Sequence, residues 1–187
     1  MLSCDPSETP HPFAPAEFAR RSSESGKVAY ANGSSGRFSH LVPTADQFAE
    51  LRFHAHAYKR GVERQFVELA DALKDGYTLY FKNVGRRLLA IGEVVEQVRV
   101  ATSARYWEAA VVRSESSDPG FDAHQDVAEL VVLQLAGAKR WTVYDDDGQV
   151  TFSGNLSSGD MLYVPLDWLH YCEPLGSSTH VTVSFRS

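Results

Sequence analysis

The sequence predicts a mainly β protein, a sandwich or jelly roll, with its helices packed on the outside. Three observations carry that prediction. From about residue 105 onward, short runs of β-branched and aromatic residues recur between turn-forming clusters. Helical spacing of apolar residues is confined to the first hundred residues. Of 187 residues, 43% are hydrophobic and 22% charged, ordinary values for a folded chain of single-domain size.

In chain order, residues 1–40 read as an irregular N-terminal arm, and residues 41–187 as a single domain. The arm holds Pro6, Pro10, Pro12 and Pro15, then Ser22 to Gly26 and Asn32 to Gly36, all turn or open-chain compositions. Between these clusters, Lys27 to Ala31 has the makings of a short strand. A helix begins near Thr44, where Thr44 and Gln47 have capping-box spacing. A second helix is expected over 62–74, with Val62, Phe66, Leu69 and Leu73 on one face and Gly76 as its stop. Tyr77 to Phe81 reads as a strand. Residues 86–100 return to helical spacing through Leu88, Ile91, Val95 and Val98. After that, strands are expected at Tyr106 to Val112, Leu130 to Leu135, Arg140 to Tyr144, Met161 to Val164 and Val181 to Phe185, with turns at 116–120, Gly137 and 145–148.

Charge and composition exclude several function classes. Twenty-four acids against eighteen bases give −6, which disfavours broad electrostatic binding of nucleic acid. Two cysteines, Cys4 and Cys172, cannot make a disulfide framework or a four-cysteine zinc site. No run approaches the ~20 apolar residues of a membrane span, and no basic start precedes an apolar stretch. The expectation is a cytoplasmic chain, a monomer or weak dimer, with no membrane or nucleic-acid partner.

The chemistry concentrates at His124-Gln125-Asp126. Two residues apart on extended chain, the imidazole and the carboxylate face the same way and can bind one cation. His170 lies forty-four residues after Asp126, near a strand-like run. Two histidines and one carboxylate form a facial triad that leaves open positions on an octahedral metal. Alone, the spacing also fits an ordinary surface pair.

The motifs around it are Gly120-Phe121-Asp122-Ala123-His124-Gln125-Asp126, Val131 to Trp141, Gly159 to Pro165, Trp168-Leu169-His170 and Thr179 to Ser184. In this order they resemble the JmjC/cupin-like dioxygenases, specifically the bacterial branch that includes ribosomal oxygenases, over about residues 105–185. The resemblance implies a double-stranded β-helix and an oxygenase using Fe(II), 2-oxoglutarate and dioxygen. It places His124, Asp126 and His170 on the metal and makes them the catalytic residues. It places Lys139, fifteen residues after His124, on the distal carboxylate of 2-oxoglutarate, with Arg140 as an immediate rival. Thr182 and Ser184 share a strand face and are candidate hydroxyl contacts to the co-substrate.

Two departures from the family pattern stand out. Relatives carry polar side chains where an ungapped alignment places Ala110 and Val112, and Ser114 or Ser116 is a possible replacement. Relatives also continue into helical and winged-helix regions, whereas this sequence stops at Ser187. The implied activity is hydroxylation of an unactivated C–H on a small molecule or a peptide side chain, rather than on an assembled ribosome. The alternatives are a cupin dioxygenase or isomerase without 2-oxoglutarate, or a non-catalytic cupin that binds a metal or ligand.

Other candidates read as structural. His54 and His56 are surface or capping residues, and Asp145 to Asp147 make a solvated turn. Cys172 is structural, Trp141 and Trp168 are core or pocket wall, and His180 is a packed or pocket-lining histidine.

Overall fold

The structure, a computed structural model, describes residues 14–66 and 68–186. The proline-rich start of the expected arm and Cys4 lie outside the described residues. The helices are α1 (Pro15–Ser25), α2 (Ala45–Glu50), α3 (Leu69–Lys74) and α4 (Leu89–Thr102). The strands are β1 (Ala29–Ala31), β2 (Ala55–Lys59), β3 (Val62–Arg64), β4 (Thr78–Phe81), β5 (Tyr106–Ser114), β6 (Glu129–Ala136), β7 (Ala138–Tyr144), β8 (Val150–Ser157), β9 (Met161–Val164), β10 (His170–Pro174) and β11 (Ser178–Arg186).

Among the described residues the strands form two antiparallel sheets. The larger runs β1-β9-β6-β11-β5-β4-β2-β3, and the smaller β10-β7-β8. This is the jelly-roll arrangement that the strand pattern predicts, with the helices preceding the barrel and packed outside it. The larger sheet is covered on both faces, which explains the nearly unbroken apolar run of β6. Val131, Leu133 and Leu135 pack with the helices on the outer face. Leu130 and Val132 face inward with Trp141, Val143, Phe152, Leu156, Leu162 and Val164. Between these inward positions and the next turn sits Gln134, fully buried and polar.

Several local expectations are met for their stated physical reasons. Thr44 caps α2 through the reciprocal hydrogen bonds with Gln47. Ile91, Val95 and Val98 are the buried stripe of α4. Gly137, at φ +63°, joins β6 to β7, and a Cβ there would lie 2.0 Å from the Ser177 carbonyl oxygen.

Two expectations are corrected. Residues 62–74 are not one helix: Val62–Arg64 is a strand, and only Leu69–Lys74 is helical. Val62 is exposed rather than on a buried face. The deciding signal is Arg60-Gly61, both at positive φ, which closes a tight β2–β3 hairpin. Within the arm expected as irregular, Pro15–Ser25 forms α1, with proline at its start and left-handed Gly26 at its end. Phe18, Ala19 and Ser22 of α1 are buried, and the helix packs against α4.

The strand at 29–31 pairs with β9, and a buried carboxylate holds the chain that follows it. Asp160, 3% exposed, accepts hydrogen bonds from the Gly33 and Ser157 backbone N–H groups and from the Tyr30 hydroxyl, at 2.9, 2.8 and 3.0 Å. Asp160→Ala would leave these donors without their buried acceptor. We expect a loss of about 2–4 kcal/mol, read as a lower urea midpoint with unchanged slope. An unmoved midpoint would show that this latch contributes nothing.

Candidate metal centre and buried polar pocket

The loop from 115 to 128 carries the first two candidate ligands, and it is fastened from several sides. The β2–β3 turn holds it through Arg60 N–H to the Pro119 carbonyl (2.8 Å) and Gly61 N–H to the Gly120 carbonyl (3.0 Å). Gly120 lies so close to Thr78 that a Cβ would meet its side chain at 2.6 Å. Phe121 then packs on Tyr58, Tyr80 and His124.

His124–Asp126 lies outside any strand, and His124 alone forms an isolated antiparallel bridge with His170. Each of the two histidines gives its backbone N–H to the other's carbonyl, at 3.0 and 2.9 Å. His170 opens β10, opposite Val143. Asp167 N–H reaches the Asp126 carbonyl, and the Gln125 side-chain amide reaches the Asp167 carbonyl. Asp167 holds a left-handed backbone, φ +60°, within this clamp.

These contacts bring the three predicted residues together. His124 Nε2 lies 4.0 Å and His170 Nε2 3.5 Å from Asp126 Oδ2, and one ligand atom from each of the three lies within 4.8 Å of the others. Both Nδ1 atoms contact backbone carbonyls, His124 at Asp122 O (2.8 Å) and His170 at Trp168 O (3.0 Å). A carbonyl only accepts, so each Nδ1 carries a proton, which leaves Nε2 as the ring nitrogen available to a metal. Burial opposes ionisation of Asp126, but the hydrogen bond to His170 and the charges of His170 and His124 outweigh it and hold the carboxyl below its usual range. This donor set, two imidazole nitrogens and one carboxylate oxygen, can hold one divalent metal with positions left open.

Lys139 and Arg140 separate cleanly by strand alternation. Arg140 faces solvent and pairs with Glu173. Lys139 is 1% exposed and points into the barrel, where its ammonium donates to Ser114 Oγ at 3.3 Å. Ser114 Oγ is in turn 2.9 Å from Thr78 Oγ1. Among the described residues Lys139 has no carboxylate partner. Burial pushes its pKa down to about 8, against a small opposing effect of Cys172.

Thr182 and Ser184 lie on the same inward face of β11 as His180 and are half-buried. Thr182 stands opposite Ala110, and Ser184 opposite Glu108, further from the Ser178–Ser114 pair beside Lys139. Ala110 and Val112 are buried and apolar, so the polar side chains on this face of β5 are Ser114 at one end and Glu108 and Tyr106, bonded to each other, at the other.

Sequence reasoning missed Tyr58, Tyr80 and Phe121 as a wall beside His124, and Gln125 as the clamp of the loop. Tyr80 was findable, because it alternates with the buried Leu79 and Phe81 on β4. His56 bonds Glu63 across the hairpin at 2.6 Å, which the surface reading of that histidine accommodates.

Comparison with known proteins follows this geometry. Residues 90–187 match the JmjC domain family. The chain is 29% identical to chicken (Gallus gallus) ribosomal oxygenase 1 over 92% of its own length and 35% of that protein. It is 31% identical to the Drosophila mojavensis bifunctional lysine-specific demethylase and histidyl-hydroxylase NO66, over 68% of its length and 18% of that protein. The Escherichia coli ribosomal oxygenase YcfD, solved in complex with cobalt and 2-oxoglutarate, superposes with a TM-score of 0.67 at 18% identity. That superposition covers 86% of this chain and 48% of YcfD, and it establishes the fold. The chain thus spans about a third of the chicken protein and about half of YcfD.

The buried Lys139 generates a stability prediction for the metal- and ligand-free protein. Between about pH 8 and 10.5 the unfolded lysine keeps a proton that the folded one has released, so stability rises with pH through that window. Below pH 8 the burial penalty is present in full. Lys139→Met should therefore stabilise the free protein at pH 7 by roughly 3 kcal/mol, with the advantage fading by pH 10.5. Denaturant titrations of both proteins across pH 7–10.5 check this, and a pH-independent difference would contradict it.

Proposed function

The chain belongs to the JmjC domain family, and from that premise we propose that it is an Fe(II)- and 2-oxoglutarate-dependent oxygenase. The observation that carries the reading is the pairing of a two-histidine, one-carboxylate cluster with a buried lysine that has no counter-charge. His124, Asp126 and His170 would hold the metal through Nε2, Oδ and Nε2. Lys139, supported by Ser114, would take the distal carboxylate of 2-oxoglutarate. An ammonium buried without an anion is costly, and a dicarboxylate supplies what the fold withholds.

The residues present fit both groups. The two histidines are oriented to ligate through Nε2. Among the described residues, four buried polar atoms lack partners, namely Gln134 Oε1, Trp141 Nε1, Ser178 Oγ and His180 Nδ1. When bound, the metal and the 2-oxo acid would supply, with dioxygen as the oxidant, the chemistry that converts the 2-oxo acid to succinate and carbon dioxide, one oxygen atom entering succinate and the other the hydroxylated C–H bond. The protein's share is orientation. The His124–His170 bridge fixes two ligands, the Gln125–Asp167 clamp fixes the third, and the apolar inner core excludes water behind them.

The substrate would approach past Tyr58, Tyr80 and Phe121, beside the partly exposed His124 and Asp126. A mouth walled by aromatic rings suits a small molecule or one side chain of a peptide. The names of the relatives, ribosomal oxygenase and histidyl-hydroxylase, support a protein side chain as the first class to test.

Two variants test the assignment. His170→Ala should abolish succinate formation and metal binding with the fold retained, since the barrel core is apolar. Lys139→Ala should keep the metal and raise the KM for 2-oxoglutarate by a factor equivalent to roughly 2–5 kcal/mol. An unchanged KM would remove Lys139 from the co-substrate site. Succinate release with Fe(II) and 2-oxoglutarate separates this function from that of a cupin dioxygenase without the co-substrate. A +16 Da product from pooled metabolites, peptides or ribosomal proteins identifies the substrate class.

A further inference from the structure

The inward faces of the two sheets form successive rows, each two residues or ~7 Å from the next along a strand. At the Lys139 end, Ser114 stands opposite Ser178. In the next row Val112 stands opposite His180, which in turn faces Gln134 on β6. From the smaller sheet, Trp141 reaches this second row. Its ring lies 5.6 Å from that of His180, edge to face, and 6.1 Å from that of His170, stacked. On β7, Trp141 stands between Lys139 and Val143, the partner of His170, so a co-substrate spanning the metal and Lys139 would run along the touching Trp141–His180 pair.

Both side chains carry a polar atom that nothing among the described residues satisfies. His180 is 2% and Trp141 3% exposed, and His180 Nδ1 and Trp141 Nε1 have no hydrogen-bond partner. An indole N–H can only donate, and leaving it buried without an acceptor costs free energy. An unprotonated imidazole can also donate from Nδ1. Burial holds His180 neutral, and the nearby Lys139 charge acts in the same direction. The opposing positions on β5, Ala110 and Val112, supply no polar atom of their own.

We infer that His180 Nδ1–H and Trp141 Nε1–H are co-substrate-binding donors, aimed at carboxylate oxygens of the 2-oxoglutarate held by Lys139. The inference rests on the proposed 2-oxoglutarate site and adds two residues to it. It explains why two donors are buried unpaired on facing strands, in the row between the lysine and the metal ligands. It also explains how β5 can be apolar there: the hydrogen-bonding group stands one strand over, directly across from Val112.

The test is binding, measured by calorimetry on the full chain loaded with Mn(II) and titrated with 2-oxoglutarate. His180→Leu should weaken 2-oxoglutarate about 10–100-fold, and Trp141→Phe by a similar factor, the usual range for a lost hydrogen bond to a charged group. Mn(II) affinity should be unchanged in both. His180→Asn, whose amide nitrogen overlies Nδ1, should stay within about threefold of the parent protein, by retention of the donor. A merely structural role would instead lower the melting temperature of the ligand-free protein. Under the inference His180→Leu leaves it unchanged or raised, because an unpaired polar atom has been removed. As a check that needs no variant to fold at position 180, the Trp141 indole N–H resonance, assigned through Trp141→Phe, should move downfield and resist exchange when 2-oxoglutarate is added. If the parent protein binds 2-oxoglutarate but the variants bind it equally well, or the indole resonance does not respond, the inference fails and the proposed function stands. If the parent protein binds none, both fall.

Discussion

The antiparallel bridge between His124 and His170 is the contact on which the site depends. It consists of two backbone hydrogen bonds, and it joins a loop of the larger sheet's connections to the first residue of β10 in the smaller sheet. Without it, residues 115–128 would be a long connection free to sample many conformations, at an entropic cost of about 1–2 kcal/mol per residue ordered. The bridge also sets the ring geometry. With the two backbones side by side, each imidazole can turn its Nδ1 to a carbonyl two residues back and leave its Nε2 toward Asp126. Backbone pairing therefore sets the protonated ring nitrogen and the position of both candidate ligands together.

The rest of the fold supports that bridge from outside. Arg60-Gly61 of the hairpin bonds Pro119-Gly120, and Gly120 fits against Thr78 only because it lacks a side chain. Thr78 itself bonds Ser114, which accepts from Lys139. One continuous set of contacts therefore runs from the hairpin, through the loop, to the buried lysine. The barrel interior is divided accordingly. Its apolar part, from Leu130 and Val132 to Leu162 and Val164, resembles an ordinary core, while the part around Lys139, Gln134, Ser178 and His180 buries polar atoms that lack partners. Such an interior lowers the stability of the free protein, a cost that proteins accept where the same atoms bind a ligand.

The sequence made the strongly patterned elements legible. The apolar run of β6, the stripe of α4 and the Thr44–Gln47 cap each carry a signal several residues long, and the structure has all three. Motif order singled out His124, Asp126 and His170, which the fold brings together, and Lys139, which strand alternation on β7 turns inward while Arg140 faces out. What sequence could not supply was contact between distant segments. The hairpin at 60–61 was hidden because Val62, Phe66, Leu69 and Leu73 mimic a helical face, although Val62 is exposed on a strand. Strand β8 was hidden because only Phe152 and Leu156 face inward, with Gly154 between them. The Trp141–His180 row exists only through the packing of one sheet on the other. No spacing in the chain encodes which residue of β7 faces which residue of β11.

The three candidate ligands differ in a way that follows from where each is anchored. His170 is 3% exposed and begins a strand, whereas His124 and Asp126 are roughly two-fifths exposed and lie in a loop. The buried ligand belongs to the rigid sheet and keeps its position whatever the loop does. The exposed pair is held by the bridge, by Phe121 and by the Gln125–Asp167 clamp, contacts that are each modest. A metal bound to all three residues would add a direct tie between loop and sheet, so its binding free energy would be shared with ordering of the loop. That arrangement also leaves the exposed ligands at the aromatic mouth and the buried ligand toward Trp141 and the lysine pocket. Under the proposed function, substrate and co-substrate would then reach the metal from opposite sides, each through surroundings of its own chemistry: aromatic and open on one side, polar and enclosed on the other.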